Sequence, residues 1–327
     1  MIPFSILDLS TVSEGQSVAD SLTQTRNLAV EAESLGYQRY WLAEHHGMKG
    51  IASSATSVIL ANIGAATQTI RLGAGGVMLP NHAPLVIAEQ FGTLAELYGD
   101  RIDLGLGRAP GTDMNTAQAL RRALDVSVDQ YPQDIQELQR YLSDAEQSVI
   151  AVPGQGTHVP LWLLGSSLYS AELAAHFGLP YSFASHFAPD HLQQALQIYK
   201  ETFRASDALA KPYAMAGVMV VLADTQVEAD YLFTSVQQKF VQMRTGGNSR
   251  FPAPVDSMDG RWTQADKQMV DHVLRYALVG TKDSIKDQLA RFIATTNIDE
   301  LIISIPVFDT DARSHSMNLM AQLRDSM

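Results

Sequence analysis

The chain has 327 residues, 46% hydrophobic and 18% charged, the make-up of a folded globular protein with a large core. Its net charge of −12 argues against general nucleic-acid binding, and the absence of cysteine excludes disulfides, thiolate metal sites and a cysteine nucleophile. No basic-then-apolar leader and no apolar run long enough to span a bilayer stand out, so a soluble, cytoplasmic protein is expected.

Short β-like runs alternate with helical patterns along the chain. Residues 4–9 read as a first strand. A helix follows that opens on the capping-box pair Ser17 and Asp20, carries Leu22, Ala29, Ala32 and Leu35 on one side, and stops at Gly36. Residues 37–43 form the second strand, and a helix from Ser54 carries Val58, Ile59, Ile63 and Ala66. The third strand, 70–79, has glycines at its centre; Pro84 suits the first turn of the next helix, and 102–106 is the fourth strand. The rhythm pauses over the polar stretch 108–130, and a short helix follows at 132–142. Strands at 161–164 and 181–184 flank a helix ending at Gly178. Asp190 opens an amphipathic helix through Leu192, Ala195, Leu196, Tyr199 and Phe203. A strand at 215–222 precedes a helix capped by Thr225 and Glu228, and 245–263 is loop chemistry. Helices through 270–278 and from Thr281 lead to the last strand, 301–305, and a closing helix.

Eight mostly apolar strands separated by helices belong to a parallel sheet covered on its outside. With no linker in the chain, this predicts one α/β domain over 1–327. The expected fold is a (β/α)₈ TIM barrel with insertions after strands 4 and 7, placed at the C-terminal rim.

In such a barrel the residues just past each strand meet at one mouth. The predicted strands end in Asp8–Ser10, Glu44-His45-His46, Ala74-Gly75-Gly76 with Asn81-His82 beyond, Gly107-Arg108, Gly165-Ser166-Ser167 and Ser185-His186. Polar groups and glycines gather at these ends more than at the strand starts. His45 at a rim suits proton handling, since an imidazole titrates near neutral pH; a strand-capping role is the alternative. The H-E-x-x-H spacing of a zinc site is missing. The glycine run reads either as a bulge or as a bare surface for a flat ligand. Arg108, with Ser166 and Ser167 opening a helix, fits a phosphate pocket. No G-x-S-x-G is present to support a serine hydrolase, and "GLGRAPG" fits neither common nucleotide loop. His82 and His186 are further rim candidates.

Together, "YWLAEHHG", "GAGGVMLPNHAPLVIAEQFGTL", "RIDLGLGRAPGTD" and "LWLLGSS" resemble the bacterial luciferase-like family of flavin-dependent monooxygenases, and within it the single-chain alkanal monooxygenase-like group. The resemblance implies a barrel that takes FMN, used in its reduced form with O2 on an aldehyde-like substrate, with a separate NAD(P)H:flavin reductase as supplier. It implies His45 as the acid/base group and Glu44 beside the flavin ring. The ring would rest over Ala74, Gly75 and Gly76, with a cis peptide between the two glycines. The phosphate would lie between Arg108 and the turn Gly165, Ser166 and Ser167. A homodimer through the helices of the early βα units is implied too, and 245–263 would shield the flavin from water. Two positions depart from luciferase: Gly107 replaces a reactive cysteine and Gly165 an acidic residue, and both are expected to open space near the flavin. Relatives that use F420 for hydride transfer, or that bind flavin without turnover, are the alternatives.

Overall fold

A computed structural model describes residues 2–109, 114–120 and 130–327. Among them are nine strands: β1 (Phe4–Asp8), β2 (Arg39–Leu42), β3 (Arg71–Met78), β4 (Ile102–Gly107), β5 (Leu161–Gly165), β6 (Tyr181–Phe183), β7 (Ala214–Leu222), β8 (Leu278–Gly280) and β9 (Glu300–Ser304). Every pairing between them is parallel. β1 to β7 and β9 close a ring, with β9 bonded to both β7 and β1. The result is a closed eight-stranded (β/α)₈ barrel with its helices outside.

The helices are α1 (Val18–Ser34), α2 (Thr56–Gly64), α3 (Pro84–Tyr98), α4 (Met114–Leu120), α5 (Tyr131–Leu142), α6 (Leu168–Phe177), α7 (Leu192–Thr202), α8 (Gln226–Arg244), α9 (Gln264–Val273), α10 (Lys282–Thr296) and α11 (Thr310–Ser326). Local chemistry accounts for several starts. Ser17 and Asp20 cap α1 reciprocally, Thr263 and Asp266 do the same for α9, and Thr225 caps α8. Asp190 does not cap α7; its carboxylate accepts instead from Arg275 at 2.8 Å.

The final third differs from the sequence expectation. The helix expected over 270–278 runs from Gln264 to Val273, and Leu278–Gly280 instead forms the short strand β8 on Val220–Leu222. Three residues are too few to show an alternating pattern. The stretch 245–263 follows α8 rather than a strand directly. It still reaches the C-terminal rim, because Phe251 pairs with Ser13 and exchanges backbone hydrogen bonds of 2.9 Å with Val12 and Glu14. Asn248 accepts from the Lys49 N–H and donates to the Gly47 carbonyl. The region after strand 4 falls partly outside the described residues.

Alternation along each strand divides the side chains between two cores. Outward residues such as Tyr40, Leu42, Leu72 and Leu104 pack beneath the helices. The barrel interior holds Leu7, Trp41, Ala43, Trp162, Met215 and Ile302. Below them, at the strand starts, lies a charged layer absent from the sequence expectation. Arg39 bonds Asp103 at 2.6 Å and Glu300 at 3.0 Å, Arg71 reaches Asp103 at 2.6 Å, and Arg39 stacks 4.7 Å over Trp162. Pairing is what allows these charges to be buried. The barrel is therefore plugged at its base and middle, and its approach lies at the C-terminal mouth.

Candidate active site

The floor of the mouth is bare backbone over aromatic rings. A Cβ placed on Gly75 would come to 2.9 Å from both Leu7 and Trp41. One on Gly76 would meet the Gly105 carbonyl oxygen at 2.8 Å, and one on Gly105 the Ala74 oxygen at 2.3 Å. The β3–β4 register shifts between Ala74 and Val77, and the Gly75–Gly76 peptide is cis, as the resemblance implies. The glycines are thus required by close backbone approach. The bulge and the flat, side-chain-free surface occur together.

On one side of this floor stands a group of four histidines and a glutamate. Glu44, 1% exposed, is a hub. Its Oε1 accepts from His46 Nε2 at 2.7 Å and from His82 Nε2 at 2.8 Å, while Oε2 accepts from the Met78 N–H at 3.1 Å. Burial acts to raise its carboxyl pKa, but these donors and the His82 charge outweigh it and hold the group below the usual range. The adjacent pair in E-H-H therefore splits. His46 turns to Glu44, whereas His45 keeps a buried Nδ1 with no hydrogen-bond partner among the described residues. Ligand atoms of Glu44, His46 and His82 lie within 4.8 Å of one another, but in this arrangement each Nε2 already donates to the carboxylate.

His186, past the end of β6, joins the site from another strand. Its Nδ1 is also buried and unpartnered, and its ring sits in a notch at Gly217, where a Cβ would meet Nδ1 at 2.3 Å. Burial first, then the nearby His45, push its pKa down to about 4. Burial likewise depresses His45, against the opposing charge of Glu44. Both imidazoles are neutral at pH 7, so each can take or give one proton at the exposed end of the barrel.

The third wall is the β5–α6 turn. Ser167 is the N-cap residue of α6, yet its side chain caps no backbone N–H, and among the described residues no other side chain takes up the first-turn donors. Arg108 extends from the end of β4 and lies 4.4 Å over the ring of Tyr169, the second residue of α6. Tyr131 buttresses the end of β4 from behind by donating to the Leu106 carbonyl at 3.0 Å. The two departures from luciferase do not open space. At Gly165 a Cβ would meet Ser170 Oγ at 2.3 Å, and at Gly107 it would meet Met78 Sδ at 2.9 Å. Neighbouring side chains already fill both places.

The structure therefore gathers residues from strands 2, 3, 4, 5 and 6 at one mouth. Asp8 is the exception among the strand ends. It is fully buried beneath the helices, where it accepts from Arg313 at 2.6 Å, Tyr40 at 2.7 Å and Thr25 at 2.8 Å. Sequence reasoning missed Tyr169, Met78 and Gly217. Tyr169 follows the candidate serines by two positions and was findable there; Met78 acts through its backbone N–H on Glu44 and by filling the space beside Gly107, and Gly217 by leaving room for His186, none of which a local motif signals.

The match to a family model for luciferase-like monooxygenases spans residues 2–299. A "Luciferase-like monooxygenase" of Escherichia coli strain K12 is 48% identical over 100% of this chain and 98% of its own length. An "N-acetyl-S-alkylcysteine monooxygenase" of Bacillus subtilis is 32% identical over 98% of each. Among solved structures, apo-MsnO8 superposes with a TM-score of 0.89 at 31% identity, covering 100% of this chain and 99% of that one. Two more distant barrels share the fold alone. The oxygenating constituent of 3,6-diketocamphane monooxygenase from Pseudomonas putida, in complex with FMN, has a TM-score of 0.75 at 17% identity and covers 98% and 97% of the chains. An F420-dependent secondary alcohol dehydrogenase has 0.72 at 14% and covers 98% of each. This chain belongs to the luciferase-like monooxygenase family.

Proposed function

We propose that the protein is an FMN-dependent monooxygenase that takes reduced FMN from a separate reductase and uses O2 on a small, aldehyde-like organic substrate. The observation that carries this reading is the convergence at one mouth of an arginine and an uncapped helix start, a glycine floor, and two neutral imidazoles with unpartnered nitrogens. These residues fit a planar phosphorylated ring. Arg108, Gly165, Ser166 and Ser167 would hold the phosphate, because charge-assisted donors and helix N–H groups favour an anion. Ala74, Gly75 and Gly76 would support the ring, since no side chain stands between it and the backbone. Reduced FMN supplies two electrons to O2, so that one oxygen atom enters the substrate and the other leaves as water.

The chain's own residues bind, orient and handle protons. His45 holds a neutral imidazole whose Nδ1 can accept or return a proton at the reacting edge. Glu44 would act from beside the ring through His46 and His82, fixing both Nε2 atoms as donors and tying the end of β3 in place through Met78. The segment around Asn248–Phe251, pinned across the first two strand ends, would limit water entry.

Flavin fluorescence titration of purified protein with FMN, riboflavin and F420, followed by oxygen uptake with reduced FMN, tests the proposal. The Arg108→Ala variant is expected to lose roughly 10- to 100-fold in FMN affinity and to keep its riboflavin affinity, from the strength of charge-assisted hydrogen bonds. Equal losses for both ligands count against the phosphate contact. Exclusive F420 binding favours hydride transfer without oxygen, and FMN binding without oxygen uptake across varied substrates favours a flavin holder.

A further inference from the structure

The ring beneath Arg108 lines the third wall of the site, but no role has been given to it so far. Arg108 is exposed at the rim, and among the described residues no carboxylate forms an ion pair with it. Its guanidinium carbon Cζ lies over the face of Tyr169, 4.4 Å from the ring centroid. Tyr169 is itself 37% exposed, and no hydrogen bond of its hydroxyl is found among the described residues. The neighbouring phenol of Tyr131 feels both partners: burial and then Tyr169 push its pKa up, and Arg108 pulls it down. Tyr131 in turn bonds to the Leu106 carbonyl, two residues before Arg108. Strand β4, α5 and α6 therefore meet at this stack.

We infer that Tyr169 is a positioning residue that sets Arg108 for a terminal phosphate monoester, the group that separates FMN from riboflavin. An exposed arginine has many rotamers, and fixing one costs binding energy. Stacking on an aromatic face covers one side of the guanidinium and leaves its edge N–H groups free in the plane of the fork. Tyr169 is the second residue of α6, so the platform and the open helix N–H groups belong to the same turn. The arginine, the ring and the helix start thereby act as one anion-reading unit rather than three separate contacts. This rests on the FMN reading above, deepens its phosphate site, and names a residue that the resemblance did not supply.

The test is a double-mutant cycle read by binding. Tyr169→Leu removes the ring, Tyr169→Phe keeps it, and each is made alone and with Arg108→Ala. Titrations use FMN and riboflavin, and far-UV circular dichroism checks folding. Tyr169→Leu is expected to weaken FMN roughly 3- to 10-fold and to leave riboflavin unchanged, from the strength of an exposed cation–π contact together with the lost pre-organisation. Tyr169→Phe is expected to bind FMN as the parent does, and Tyr169→Leu to add nothing once Arg108 is Ala. The inference is overturned by equal losses for FMN and riboflavin, by a Phe variant as weak as Leu, or by full additivity with Arg108→Ala. If Arg108→Ala discriminates the two ligands and Tyr169→Leu does not, this inference fails while the phosphate reading stands. If Arg108→Ala itself does not discriminate, both fall.

Discussion

Removing the Glu44 carboxylate should be the most informative single change at the mouth, because three donors depend on it, one on its own segment and two at and just past the end of β3. His46 Nε2 at 2.7 Å, His82 Nε2 at 2.8 Å and the Met78 N–H at 3.1 Å all end on its two oxygens. Its side chain is 2% exposed, so Glu44→Ala opens no ready route for water to replace them all. A hydrogen bond to a charged group contributes roughly 1.5–3 kcal/mol, and a buried donor left alone costs about 1–3 kcal/mol. The His46 and His82 side chains are 14% and 26% exposed and can recover part of this from solvent. The net loss expected for Glu44→Ala is therefore about 3 kcal/mol rather than the simple sum, and about 1.5 kcal/mol for Glu44→Gln, which keeps one acceptor.

The pH dependence of this contribution has a definite sign. The folded carboxyl titrates below its ordinary value of 4.5, so its stabilisation is complete above that pH and disappears as pH falls through the lower folded value. Urea unfolding followed by tryptophan fluorescence reads the effect, since Trp41 and Trp162 lie inside the barrel. At neutral pH the midpoint should drop for both variants, more for Ala than for Gln. In acid below the folded value, the parent and the Gln variant should converge. A Glu44→Ala protein within about 0.5 kcal/mol of the parent at neutral pH would refute the hub assignment.

Two other predictions concern the mouth. His186 has a folded pKa of about 4 against an ordinary 6.5, so the unfolded chain takes up a proton first and stability falls as pH drops through that window. The loss should be on the order of 3 kcal/mol, the linkage value of a drop from 6.5 to about 4, and His186→Gln should flatten it. Gly217→Ala, whose Cβ would sit 2.3 Å from Nδ1, should displace the ring and return its NMR titration toward the ordinary value; an unmoved titration would contradict the notch. At the rim, Asn248→Ala removes the bonds to Gly47 and Lys49. Hydrogen exchange should quicken at Lys49 and across 248–251 while global stability changes by less than about 1 kcal/mol, and unchanged exchange would show that the bonds of Ser249, Arg250 and Phe251 hold the segment without Asn248.

Much of the barrel was legible because its signals are local. Apolar runs, caps such as Ser17–Asp20, and glycine stops are set within a few residues, and eight of the nine strands were read from them. β8 was not, since its three residues are defined by β7 rather than by their own pattern. The candidate site was legible where polar groups and glycines sit directly at a strand end, as with Glu44, His45, the Gly75–Gly76 pair, Arg108 and the serines before α6, which the barrel brings to one mouth.

What the sequence could not decide was direction. It placed His45 and His46 together but not that one turns to Glu44 while the other keeps an open nitrogen. It set Asp8 at a strand end but not that the carboxylate faces Arg313 beneath the helices. It showed Arg39, Asp103 and Glu300 far apart in the chain, and only barrel closure makes them one buried cluster. The physical reason is range: propensity and capping act over one turn of chain, while burial, ion pairing and the neighbours that fill a glycine's empty side are set by whichever distant strands the barrel brings alongside.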